Sequence, residues 1–142
     1  VLAAPGSSPS SADLGPAIEL AGYDLAGGVK AGESLYLHLS WRVVQDAHGE
    51  QLPLSLFVHL LNARGEFAAG RDLLAFPTAG WRDGDWWHQL NDVPVPANTV
   101  AGVYQIEIGV YSQSDGSRWR VYDASGRDIG DRFILASIEI KP

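Results

Sequence analysis

From Leu35 to Val43 the chain reads Leu-Tyr-Leu-His-Leu-Ser-Trp-Arg-Val, so that every second side chain is apolar and those between are polar or amphipathic. A period of two puts Leu35, Leu37, Leu39, Trp41 and Val43 on one face of an extended strand and Tyr36, His38, Ser40 and Arg42 on the other. The same alternation recurs at Leu54, Leu56, Val58 and Leu60, at Tyr104, Ile106, Ile108 and Val110, and at Ile134, Ala136, Ile138 and Ile140. No segment sustains a helical period. Turn-forming groups separate the runs: Ala47-His48-Gly49, Asn62-Ala63-Arg64-Gly65, Asp83-Gly84, Pro94-Val95-Pro96, Ser114-Asp115-Gly116 and Ala124-Ser125-Gly126.

Strands with one apolar face must bury those faces against each other. The expected fold is therefore all-β, a two-sheet antiparallel β-sandwich of seven to nine strands, with fibronectin/Ig-like and jelly-roll connectivities both open. The predicted strands run roughly over 17–23, 33–44, 54–62, 66–74, 86–93, 102–112, 118–123 and 132–140. At 142 residues the chain fits one such domain. Residues 1–13, small, polar and broken by proline, have the composition of a flexible linker, leaving 14–142 as the sandwich domain. The chain contains no methionine and is expected to be a piece of a longer one.

Composition excludes several kinds of chemistry. There is no cysteine, hence no disulfide, thiolate zinc site or cysteine nucleophile. A net charge of -7, with two lysines and eight arginines spread along the chain, leaves no basic stripe for nucleic acid or an anionic membrane. No apolar run reaches the ~18 residues that would cross a bilayer, so this segment is not expected to insert into a membrane. Gly-x-Ser-x-Gly, Gly-x-Gly-x-x-Gly and phosphate-binding P-loop patterns are absent.

Function is sought in the densest stretch, Gly80-Trp81-Arg82-Asp83-Gly84-Asp85-Trp86-Trp87-His88, with three of the five tryptophans. Adjacent residues of a strand face opposite ways, so one of Trp86 and Trp87 serves the core and the other does not. An outward indole beside Arg82, Asp83, Asp85 and His88 has the parts of a sugar site: the ring packs on the C–H face of a pyranose while carboxylate and guanidinium bond its hydroxyls. The structural alternative is that Trp81 and one of the pair close an end of the sandwich. Asp83 and Asp85, one glycine apart, would sit side by side rather than flank a scissile bond, so a glycosidase pair is not expected and the domain is read as non-catalytic.

Trp41 belongs to the core face. Trp119, beside Arg118, Arg120 and Tyr122, could face either way. His38 and His59 lie on the polar faces of strands that could be neighbours, but two histidines fall short of a zinc site, and His48 sits in a turn. No cofactor is expected. Calcium fits the residues better than zinc, because Asp83, Asp85, Asp92, Asp123, Asp128 and Asp131 fall in or near loops, with solvated turn aspartates as the alternative.

The succession Gly22-Tyr23-Asp24-Leu25, Gly32-Glu33-Ser34-Leu35 into Trp41, Leu56-Phe57-Val58-His59-Leu60-Leu61, Gly102-Val103-Tyr104-Gln105-Ile106-Glu107-Ile108-Gly109-Val110-Tyr111 and Gly130-Asp131-Arg132 resembles a β-sandwich module. That module stands at the carboxy-terminal end of bacterial polytopic membrane proteins similar to dolichyl-phosphate-mannose-protein mannosyltransferases. The resemblance covers most of 17–140 and brings no catalytic residue with it. It implies an extracytoplasmic module tethered to a membrane-embedded glycosyltransferase, with a glycan or glycan carrier and the parent membrane domain as partners. The expected task is to bind or position a glycan; the alternative is a scaffold for protein contacts or self-association.

Overall fold

The structure, a computed structural model, describes residues 8–14, 18–25, 29–44, 54–76 and 82–142. Eleven strands follow one another: β1 (Ser8–Leu14), β2 (Ile18–Leu25), β3 (Val29–Lys30), β4 (Ser34–Val43), β5 (Leu54–Leu61), β6 (Phe67–Phe76), β7 (Trp86–Pro94), β8 (Gly102–Ser112), β9 (Val121–Tyr122), β10 (Asp128–Gly130) and β11 (Phe133–Lys141). One sheet has the order β10-β9-β1-β2-β4-β7 and the other β3-β11-β8-β5-β6; all pairings are antiparallel except β3 with β11. The expected all-β sandwich is the observed fold. Its long strands run β2-β4-β7 against β6-β5-β8-β11, which is fibronectin-like connectivity rather than a jelly roll.

The crossing from β7 to β8 supports the assignment. Tyr104, near the start of β8, donates its hydroxyl to the carbonyl of Val100 at 2.6 Å, the tyrosine corner that closes the strand-to-strand crossing in sandwiches of this connectivity. The ring is buried with the core while its oxygen is satisfied by backbone, so the crossing is held at little polar cost.

The leucine faces do what their period requires. Leu35, Leu37, Leu39, Trp41 and Val43 meet Leu54, Leu56, Val58 and Leu60 and the Tyr104 to Val110 series in a single core, with Trp41 wholly buried. Trp119 joins that core, and its amide donates to Val110 O at 2.8 Å.

Three strands, β1, β3 and β10, lie outside the eight expected ranges. β1 occupies residues 8–14, most of which the sequence places in the linker. Its backbone pairs with β2 on one side and β9 on the other, bonds that need no apolar side chain, while Ala12 and Leu14 reach the core. Residues 1–7 lie outside the described residues. In β11 the expected phase fails at its start: Ile134 is 39% exposed and Leu135 is buried. A bulge between Ile134 and Ala136 opposes two residues to one on β8, so the alternation shifts by one residue there and resumes at Ile138 and Ile140.

Candidate functional site

β4 and β7 pair along their whole length, Leu35↔Val93 through Arg42↔Trp86. Residues directly opposite share a face, so the inner rows are Leu35–Val93, Leu37–Asn91, Leu39–Gln89 and Trp41–Trp87. The outer rows are Tyr36–Asp92, His38–Leu90, Ser40–His88 and Arg42–Trp86. This register decides the tryptophan pair. Trp87 turns inward and stacks on Trp41, ring centroids 5.8 Å apart at 22°, and Trp86 is the outward indole. Trp41 also donates its indole N–H to Gln89 Oε1 at 3.2 Å, the amide that continues the inner row.

The other expected site residues divide. Trp81 lies outside the described residues. Arg82, Asp83 and Asp85 form a turn ahead of β7: Arg82 N donates to Asp85 Oδ2 at 3.0 Å and Asp85 N returns to Arg82 O at 3.0 Å. Gly84 takes φ +91°, a backbone conformation that a side chain would strain, and its amide reaches Val43 O at 2.7 Å. The Asp85 carboxylate thus serves the turn. His88 joins Trp86 on the outer face, where Ser40 Oγ and His88 Nδ1 are 3.1 Å apart.

β2 extends this face. Glu19 lies opposite Arg42 and bonds its Nε at 3.1 Å; Gly22 lies opposite Ser40 and Asp24 opposite His38. Gly22 and Ser40, in the middle of the face, are both buried. At one end, Asp24, Leu25, Tyr36, His38 and Leu90 enclose an open hollow of about 330 Å³. Leu90 is 71% exposed and Tyr36 56%, and the His38 and His88 rings lie 5.2 Å apart. From Trp86 to the Tyr36–Asp92 row is six residues of strand, about 20 Å at ~3.4 Å per residue. At the far edge of Glu19 stands Asp13 on β1, paired across strands with it. Burial first, then the Glu19 charge, raises the Asp13 carboxyl above its ordinary pKa, with Arg42 opposing.

Tyr36, Asp24 and Leu90 were not singled out in the sequence as site residues. The signal available was the polar-side half of the alternation: an exposed tyrosine and leucine at outward positions of neighbouring strands.

The metal readings meet a different arrangement. His38 and His59 stand in different sheets, on β4 and β5, and do not approach. His48 lies outside the described residues. Asp92 pairs with Arg71, Asp128 with Arg120 and Asp131 with Arg118, and Asp123 accepts the amides of Ser125 and Arg127 within its own turn. Among the described residues no group of three or more His, Asp or Glu converges as a metal site. No helix of the described residues is long and apolar enough to cross a membrane.

No family profile and no curated protein matches the sequence. Among solved structures, the chain is similar to the C-terminal domain of wzt, with a TM-score of 0.62 at 11% identity over 97% of this chain and 82% of that one. It is also matched, at a TM-score of 0.47 and 12% identity, to a β-glucosidase from Listeria innocua in complex with gluconolactone, covering 94% of this chain and 16% of the enzyme. The solved likeness is thus to the C-terminal domain of wzt, not to the mannosyltransferase-linked module that the sequence resembles. At 11% identity it establishes the fold.

Proposed function

We propose that this domain is a non-catalytic carbohydrate-binding module whose sugar-facing surface is the outer face of β2, β4 and β7. The observation that carries the reading is the row of outward side chains on a rigid sheet: Trp86, His88, His38, Leu90 and Tyr36, ending in the hollow beside Asp24. A sugar has an apolar C–H face and a hydroxyl rim. Indole, phenol and leucine match the first, and imidazole and carboxylate match the second. Such binding needs no activated acid or base, only preorganised contacts on a strand pair that folding already fixes.

In this reading the domain belongs to a larger membrane-associated, glycan-handling protein and presents a glycan or glycan carrier to it on the extracytoplasmic side. In this reading the module works without calcium, which is supported by Asp92 and Asp128 pairing with arginines and Asp85 and Asp123 accepting turn amides. The test is a glycan-array screen of residues 1–142, with and without calcium, beside Trp86→Ala. Binding that Trp86→Ala abolishes in a folded protein is the expected result. Binding that survives in Trp86→Ala moves the site off this face, and a wild-type domain that takes no glycan removes the reading.

A second reading rests on Leu90. It is the most exposed large hydrophobic side chain on β7, the terminal strand of its sheet, and such a residue also suits contact with another copy or a partner. Concentration-dependent self-association in sedimentation, lost in Leu90→Lys, would favour it.

A further inference from the structure

A second polar hollow lies on the opposite side of the sandwich. On the outer face of β5, β6 and β8, Phe57 is buried although it points away from the core. Gly109 stands directly across from it on β8, and the missing side chain there makes room for the ring. The Arg118 guanidinium lies 4.4 Å from the ring centroid, held there as the chain after β8 folds back through a Tyr111–Arg118 bridge. Phe57, His59, Asp72, Tyr111, Gly116 and Arg118 enclose about 220 Å³.

Behind them Glu107 is 3% exposed, a carboxylate withdrawn from water and held by Arg132 Nη1 at 2.9 Å and His59 Nδ1 at 3.3 Å. A carboxylate at Nδ1 assigns the proton of neutral His59 to that nitrogen and leaves Nε2 as an acceptor turned to the pocket. Facing it at 3.8 Å is Asp72 Oδ1, too far for a hydrogen bond. The other oxygen of Asp72 accepts the Tyr111 hydroxyl at 2.7 Å, and that bond, first among the causes, raises the tyrosine pKa so that it stays a donor.

With His59 neutral, two acceptors face each other across a gap that two donors would fill. Beside them Arg118 offers N–H groups, one of them 3.6 Å from Asp131. We infer that this pocket binds a single sugar ring through a vicinal diol, one hydroxyl donating to His59 Nε2 and its neighbour to Asp72 Oδ1, with Arg118 donating to the hydroxyl oxygens. The enclosed volume suits one ring rather than a chain. The carboxylates do not compose a cation site, because Glu107 and Asp72 address different nitrogens of His59 and do not converge. The pocket lies on the other sheet from Trp86, so it stands or falls apart from the proposed glycan face.

The experiment is an NMR titration of residues 1–142 with glucose, galactose and mannose, using cyclohexanol as a ring without the diol. Shifts at His59, Asp72 and Gly116 with at least one sugar and none with cyclohexanol are expected. Asp72→Asn should weaken them about tenfold or more, the scale of a lost hydrogen bond to a charged group; Tyr111→Phe, which frees Asp72 without removing it, should weaken them less. Trp86→Ala should leave them unchanged. Absence of pocket shifts with all three sugars, equal shifts with cyclohexanol, or pocket shifts indifferent to both Asp72→Asn and Tyr111→Phe would overturn the inference. Shifts confined to β4 and β7 would overturn it too while upholding the glycan face.

Discussion

Trp87 stacks on Trp41 across the β4–β7 pair, while its neighbour Trp86 lies beside Arg42 on the opposite side of the same sheet. Two identical side chains, one residue apart, thus have separable roles.

Trp87→Ala should cost about 2 to 4 kcal/mol, somewhat below a fully buried tryptophan because the ring is half-buried. Trp86 is equally half-buried but on the outer face away from Trp41, so Trp86→Ala should cost less, about 1 kcal/mol. Urea denaturation of the two variants checks the contrast. Equal losses would mean that the outward indole is part of the packing.

Tyr104→Phe removes the hydroxyl that caps Val100 O and leaves that carbonyl without its donor. A loss of about 1 kcal/mol is expected, read as a lower denaturation midpoint with unchanged slope.

A Cβ on Gly109 would overlap the Phe57 ring and come within 3.2 Å of Asp131 O. Gly109→Ala should therefore destabilise by about 1 to 3 kcal/mol, the range for overpacking. Phe57→Leu in the same chain should recover part of it, so a double-mutant cycle would show coupling.

Asp13 is a pH-dependent liability. Its folded pKa is raised, so its contribution to stability is present below the ordinary aspartate pKa and is lost as pH rises through the folded value. Asp13→Asn should stabilise the fold at pH 7, by no more than about 1 kcal/mol given its partial exposure. The gain should vanish below about pH 4, the ordinary aspartate range. Thermal melts across pH 3 to 7 check the sign.

In β11, Leu135→Ala should cost about 2 to 4 kcal/mol and Ile134→Ala under about 1, because the bulge sends Leu135 inward and Ile134 out. The reverse order would restore the uninterrupted alternation.

That last pair shows where a period can and cannot be read. β4, β5 and β8 have apolar residues at every second position, so their faces follow from spacing alone. A bulge adds one residue without any mark in composition, and Leu135 sits among Ile134 and Ala136, all three apolar. β1 escaped for the opposite reason: Ser-Pro-Ser-Ser carries no apolar period, and its strand exists because β2 and β9 offer backbone partners.

Site legibility follows the same physics. The alternation says that Trp86 and Trp87 part company, and register with Trp41 is needed to say which goes where. His59, Asp72, Glu107 and Tyr111 come from three strands and meet through cross-strand pairing. Nothing local ties them together.

The complete pairing of β4 with β7 has a further consequence for how such a domain can change over generations. Odd positions answer to the core and, buried Ser40 apart, even positions to whatever the face meets. Substitutions at 36, 38, 88 and 90 can therefore be explored with the odd rows untouched. A lineage could exchange one ligand for another on this face while its scaffold stays as it is.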